Sequence, residues 1–246
     1  MKRLAVVALV LAGCESKELE WYPIEPGGGG GTGGSTTPDA ATDASDASAM
    51  ISGRVCLLGA NLRTVSTAAC ATTGADNLSV LLGTSSATTT ADGSFTLLRP
   101  ATTSGVYWRV SGAGVVTSLV AYGAKFGTAA MPMLPVFDTV AYEQMVSDNQ
   151  AASTQGVIVQ VTKGSAVVSG ATVQITPTQD GSIYYDDATD GAWDTVNGTG
   201  AFGVAWIPSV AGTSAQLTVT SNAMQTLVTG IPLSTGALTF LTAEIP

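Results

Sequence analysis

Ala91-Asp92-Gly93-Ser94-Phe95-Thr96-Leu97 decides the fold class. Asp92-Gly93 makes a tight turn, and Phe95 and Leu97 then point to one face of the strand that follows. The same grammar extends outward on both sides. Ile51-Ser52-Gly53-Arg54-Val55-Cys56-Leu57 reads as a first strand, and Leu78, Val80 and Leu82 alternate with Ser79 and Leu81 in another. Val106, Trp108 and Val110 share one face of a further strand whose other face carries Tyr107 and Arg109, and Val115 to Tyr122 reads as one more. Short alternating segments separated by turn residues are the pattern of a β-sandwich.

The pattern then repeats. Val157, Val159 and Val161 alternate along a new first strand, and Val173 with Ile175 along a second. Gly200-Ala201-Phe202 echoes Gly93-Ser94-Phe95; Val204 and Trp206, Leu217 and Val219, and Leu238 and Phe240 follow. Two copies of one β-unit account for the length better than one large sheet. Between them Phe137 to Asn149 is the helix candidate, with Asp138 as its cap and Phe137 and Tyr142 as a hydrophobic staple. Trp108 and Trp206, on apolar faces, are expected in the core. The expectation is an all-β protein: two β-sandwich domains in tandem after a disordered tether, with one short helix between them.

The N-terminal stretch has a different character. Lys2 and Arg3 precede an unbroken apolar run from Leu4 to Leu11, too short to span a bilayer but suited to the core of a signal peptide. The run ends in Leu11-Ala12-Gly13-Cys14, which resembles the lipobox of bacterial lipoproteins. That resemblance implies acylation of Cys14 and cleavage before it. Several acyl chains would anchor the protein stably, each buried methylene adding about 0.8 kcal/mol. Glu15 follows the cysteine where aspartate is the better-known inner-membrane retention residue, so the outer membrane is the expected address, facing periplasm or cell exterior. Next come Gly27 to Gly31, Gly33 and Gly34, then Ser, Thr and Ala with Asp39, Asp43 and Asp46. Such a stretch has too few apolar groups to offset the entropy of ordering, and as a random coil it would span roughly 30–35 Å. Trp21 and Tyr22 either rest at the membrane interface or sit idle in the linker. The expected organisation is a signal peptide over 1–13, lipidated Cys14 and Gly-rich linker over 14–49, a first sandwich over 50–136, a helical connector over 137–153 and a second sandwich over 154–246.

Charge and cysteine content narrow the function. The formal charge is −9, and removing Lys2 and Arg3 with the signal makes it −11. So acidic a surface repels nucleic acid, which is excluded as a partner. In an exported chain Cys56 and Cys70 read as a structural disulfide rather than a metal or redox pair, closing a loop worth about 3 kcal/mol in the chain-entropy model. No cofactor is expected. With no histidine in the chain, a Ser-His-Asp or Cys-His arrangement is impossible, and no enzyme activity is expected.

Ile51-Ser52-Gly53-Arg54-Val55, Thr90-Ala91-Asp92-Gly93-Ser94-Phe95 and the aromatic strand at Tyr107-Trp108 resemble a carboxypeptidase regulatory-like domain. The second copy is similar through Gly170-Ala171-Thr172-Val173 and Thr199-Gly200-Ala201-Phe202, departing where Thr199 stands in for the acidic turn residue. The resemblance, over about residues 50 to 246, implies small transthyretin-like sandwiches without catalytic residues. Tandem copies behind a lipobox are similar to predicted outer-membrane lipoproteins of Gram-negative bacteria. Anchored to the membrane in this way, the module is expected to meet an envelope protein partner.

One loop region carries the remaining candidates: Asp180, Asp186, Asp187, Asp190 and Asp194. Paired carboxylates for glycoside hydrolysis need two acids held across a sugar, whereas acids in Gly- and Thr-containing hairpins are normally solvated turn formers. Calcium suits Asp186, Asp187 and Asp190 better, since it takes carboxylate and carbonyl oxygens from loops, although the full calcium-loop pattern is missing. As exposed turn charges, these three would tolerate replacement by Asn with almost no loss of stability. Tyr184, Tyr185 and Trp193 flank the acids, and aromatic faces beside carboxylates suit sugar rings; related sandwiches include starch-binding modules. A glycan ligand and simple packing both remain open for these three. An exposed coplanar platform would favour sugar, an open sheet edge a protein partner.

Overall fold

The computed structural model describes residues 50–58, 71, 73, 75–100, 105–121, 127–128, 131–152, 155–186 and 193–246. Cys14, Trp21, Tyr22 and the linker lie outside these residues, as do Cys70, Asp187 and Asp190. The chain is mostly strand with a single helix among the described residues, as the alternation of apolar residues demands.

The first half contains β1 (Met50–Leu58), β2 (Ser79–Leu82), β3 (Ser85–Thr88), β4 (Ser94–Leu98), β5 (Tyr107–Ser111), β6 (Thr117–Ala121), β7 (Gly127–Thr128) and β8 (Met131–Phe137). Helix α1 (Thr139–Asp148) follows. Asp138 caps it, accepting the Ala141 amide at 3.0 Å, and Phe137 stacks on Tyr142 at 6.2 Å as the staple requires. The second half contains β9 (Gly156–Lys163), β10 (Ala166–Val167), β11 (Thr172–Thr176), β12 (Tyr184–Asp186), β13 (Trp193–Asp194), β14 (Val204–Ile207), β15 (Ser214–Ser221), β16 (Met224–Pro232) and β17 (Ala237–Glu244).

Three sheets result. The first runs β4-β1-β8-β7 and the third β11-β15-β16. The middle sheet joins strands of both halves in the order β13-β12-β14-β9-β17-β6-β5-β2-β3, with β10 beside β9. The seam is β17, parallel to β9 on one side and to β6 on the other. Alternate residues of β14, β9 and β17 feed two different cores. Ile158, Val204, Trp206, Leu238 and Phe240 join the core beneath β1, β4, β8 and α1. Val157, Val159, Val161, Ala205, Ile207, Leu241 and Ala243 join the core beneath β11, β15 and β16. A strand buried on both faces reads as an apolar run, and Val-Ile-Val in β9 and Val-Ala-Trp-Ile in β14 are such runs.

The two halves repeat one hydrogen-bond network around a buried threonine. The Thr89 hydroxyl donates to the Ala75 carbonyl at 2.5 Å and accepts the Leu78 amide at 2.8 Å. The Thr199 hydroxyl donates to the Val168 carbonyl at 2.7 Å and accepts the Ala171 amide at 3.0 Å. Each threonine's own amide also donates to the residue whose amide its hydroxyl accepts, Leu78 or Ala171, at 2.9 and 2.8 Å. Four residues on, Gly93 and Gly203 both have positive φ (82° and 65°), and their carbonyls accept the amides of Val55 and Val161. A side chain at either glycine would strike that same valine's carbonyl oxygen.

This equivalence corrects the repeat register read from sequence. Gly200-Ala201-Phe202 matches Thr90-Ala91-Asp92, not Gly93-Ser94-Phe95, and Phe95 of β4 corresponds to Ala205 of β14. The two glycines that match in space are those forced to positive φ, and Gly200 has a separate reason to lack a side chain, given below. β8 was also missed by the alternation, because Pro132 and Pro135 read as breakers. It runs parallel to β1, with Pro135 opposite Cys56, and only its first two residues have a strand, β7, on the far side.

Replacing Thr199 with the isosteric Val leaves the buried Ala171 amide without its hydroxyl partner. We expect a loss of about 1–3 kcal/mol, measured as a lower urea midpoint at unchanged m-value, and a comparable loss for Thr89→Val.

Candidate functional site

The acids and aromatics singled out from sequence converge on β12, whose three residues are Tyr184, Tyr185 and Asp186. β12 lies between β14 and β13, pairing Tyr184 with Trp206, Tyr185 with both Ala205 and Asp194, and Asp186 with Trp193. Successive side chains on a strand point to opposite faces, so the two tyrosines cannot share a platform. Tyr184 enters the first core, stacked on Trp206 at 4.9 Å with its hydroxyl donating to the Asn149 carbonyl at 2.9 Å. Tyr185 enters the second core, where its hydroxyl accepts the Val173 amide at 3.2 Å and burial raises its pKa. Trp193 is half-buried, 5.7 Å from Trp206. With Tyr142 of α1, 6.3 Å from Trp206, these rings form an aromatic block between α1 and the middle sheet. Trp206 and Trp108 are buried, as the apolar faces required.

Asp186 departs most from the sequence reading. It is only 1% exposed, not a solvated turn acid. Its Oδ1 accepts the amides of Gly200 at 2.8 Å and Val204 at 2.7 Å, and its Oδ2 accepts that of Phe202 at 2.6 Å. A charged acceptor shared by three backbone donors makes strong hydrogen bonds. It also explains Gly200: a Cβ there would run into the carbonyl and carboxylate of Asp186. The expectation that Asn at 186 is harmless is therefore corrected, because the amide's NH2 would face one of three inward-pointing N–H groups.

The first half performs the same task with an acid inside the turn. Asp92 accepts the Thr90 hydroxyl at 2.7 Å and, from Ser94, the hydroxyl at 2.8 Å and the amide at 3.1 Å. These hydrogen bonds, that from Thr90 first, lower its pKa from 3.8 to about 2. In the second half Phe202 occupies the equivalent position, and Asp186 supplies the carboxylate from a neighbouring strand. Sequence reasoning missed this substitution. The available signal was an acid placed directly after two tyrosines in a strand, opposite a Gly-rich turn.

Both oxygens of Asp186 are thus engaged by the protein's own backbone. The other two acids of the calcium trio, Asp187 and Asp190, lie outside the described residues, among which no group of three metal-ligating side chains occurs. Asp194 holds a local turn through the Val196 amide at 2.8 Å and the Asn197 side chain at 3.3 Å, and Asp180 is exposed. Cys56 is buried in β1, while Cys70 lies outside the described residues.

No family model matches the chain, and no curated protein matches it. Among solved structures it is similar to the shaft pilin SpaA from Lactobacillus rhamnosus GG, at 9% identity and a TM-score of 0.24, covering 80% of this chain and 97% of that one. It is likewise similar to a fimbrial protein from Bacteroides ovatus ATCC 8483, at 9% identity and a TM-score of 0.24, covering 79% of this chain and 49% of that one. Agreement at that level lies well below a superposable fold.

Asp186→Asn should lower stability by about 1–3 kcal/mol, because a buried amide N–H loses its acceptor. Asp180→Asn, at an exposed position, should stay within about 0.5 kcal/mol of wild type. Urea unfolding of both variants checks the contrast.

Proposed function

We propose that the chain is a membrane-anchored, non-catalytic lipoprotein acting as a structural or protein-interaction module of the cell envelope. The observation that carries this reading is how the chemically capable side chains are used. Asp186, Asp92, Thr89 and Thr199 hold turns, and Tyr184 and Tyr185 each pack in one of the two cores. What the described residues offer to other molecules is sheet surface and sheet edge. The anchor rests on the sequence alone: the basic start, the short apolar run and the small residues before Cys14. No helix among the described residues is long and apolar enough to cross a membrane.

A disulfide between Cys56 and Cys70 belongs to the same proposal. Its support is the closeness of the neighbouring residues. The Ala71 amide donates to the Leu57 carbonyl at 3.0 Å, and the Arg54 guanidinium donates to the Ala71 carbonyl at 3.2 Å. The residue after Cys70 is thereby tied to the residue after Cys56, with Cys56 facing inward from β1. Such a bond would stabilise a region where β1 must hold both β4 and β8.

Cys14→Ser should abolish acyl labelling and membrane fractionation together; a variant that still pellets with membranes would overturn the anchor. Denatured but unreduced protein should expose no alkylatable thiol at Cys56 or Cys70, and labelling of both would remove the disulfide.

A further inference from the structure

β6 and β16 are equivalent strands with different surroundings. β6 lies against β5 with Ser118, Leu119 and Val120 opposite Val110, Arg109 and Trp108. β16 lies against β15 with Thr226, Leu227 and Val228 opposite Val219, Thr218 and Leu217. The outer edge of β6 is filled by β17, which runs parallel to it from Ala237 to Phe240. β16 ends its sheet, and among the described residues no strand pairs with its outer edge. Of this pair of equivalent leucines, Leu119 is 8% exposed and Leu227 is 61% exposed.

An edge of this kind is normally protected by brevity, charge or proline. The other edges follow that rule. β7, β10 and β13 have two residues each, β3 has four, β4 has five between Asp92 and Arg99, and β11, the other edge of the third sheet, has five and stops at Pro177. β16 has nine residues, with no charge and no proline before Pro232. Its neutrality extends further, since no charged residue stands between Asp194 and Glu244 in a chain of net charge −9. A second copy, repelled elsewhere by its own acidity, meets no like charge along this edge.

We propose that β16 pairs edge to edge with β16 of a second copy, antiparallel about a two-fold axis near Leu227. The two-fold makes the edge self-complementary around Leu227, where each strand offers the N–H and C=O groups the other needs; further along, the Gly230 carbonyl already accepts the Tyr107 hydroxyl. On the outward face Gln225, Leu227 and Thr229 of one copy then lie beside the same residues of its mate, covering the leucine whose counterpart Leu119 is already covered. The two third sheets become one continuous sheet. This deepens the interaction role proposed above and rests on it only in taking the sheet edge as the working surface; it holds whether or not Cys14 is acylated.

Sedimentation velocity on the full chain carrying Cys14→Ser tests the pairing without contribution from acyl groups. We expect a dimer fraction that rises with protein concentration. In the same background, Leu227→Lys with Thr229→Lys should weaken dimerisation at least tenfold, and Val140→Lys, at an exposed position on α1, should leave it unchanged. Hydrogen exchange supplies a readout free of edge substitutions: the outward amides of β16 should gain protection as concentration rises. A monomer at every concentration, a dimer indifferent to the lysines, or concentration-independent exchange along β16 would overturn the proposal. So would a monomer whose β16 edge is protected only by an added strand peptide, which would assign the edge to a different partner.

Discussion

The parallel pairing of β17 with β9 and β6 is the constraint on which the rest of the architecture depends. It makes one sheet out of strands from two halves of the chain and leaves β9, β14 and β17 buried on both faces. Every side chain of these strands must then suit one of two cores. Phe240 and Leu238 fill the first, Leu241 and Ala243 the second. Each fully buried large apolar side chain contributes about 1.5–3 kcal/mol. The helix has its place for the same reason: the face of β9, β12 and β14 not covered by the third sheet needs a cover, and Tyr142 and Met145 of α1 pack in the core there.

A shared sheet also fixes what the turns must do. Amides at the turns leading into β4 and β14 are taken up by side chains, in exposed positions in the first half and in buried or part-buried ones in the second. In each half the repeated threonine hydroxyl accepts one amide and donates to one carbonyl. The carboxylate that completes the turn comes from two different places, Asp92 within its own loop and Asp186 across from β12. Equivalent backbone geometry is thus held by non-equivalent sequence. The buried Asp186 beside Gly200 answers three N–H groups aimed at it.

How much was legible follows from what kind of signal each feature leaves. Alternation revealed most strands, because one-sided burial writes itself directly into the sequence, and the cap and staple of α1 were readable from Asp138, Phe137 and Tyr142. The register of the repeat was not, because glycine occurs for unrelated reasons: Gly93 and Gly203 for their positive φ, Gly200 for the crowding of Asp186. The role of Asp186 was hidden because an acid among turn residues looks the same whether its partners are water or amides. Tyr184 and Tyr185 showed their aromaticity but not their faces, which depend on β12 having a covered surface on both sides. The open edge of β16 was invisible for a related reason, since only the pairing of its twin β6 shows what is missing from it.

The seam at β17 finally has a temporal meaning. Ser118 of β6 waits for Leu238, far along the chain, before its outer edge is satisfied. Contacts of such wide separation in sequence form late, because loop closure must precede any gain from pairing. Until the second half is in place, β6 is therefore unsealed and its core lacks Phe240 and Trp206. A chain interrupted before Ala237 would leave the edges of β6 and β9 that face β17 unpaired. Sealing of both edges therefore comes with the pairing of β17 and not before it.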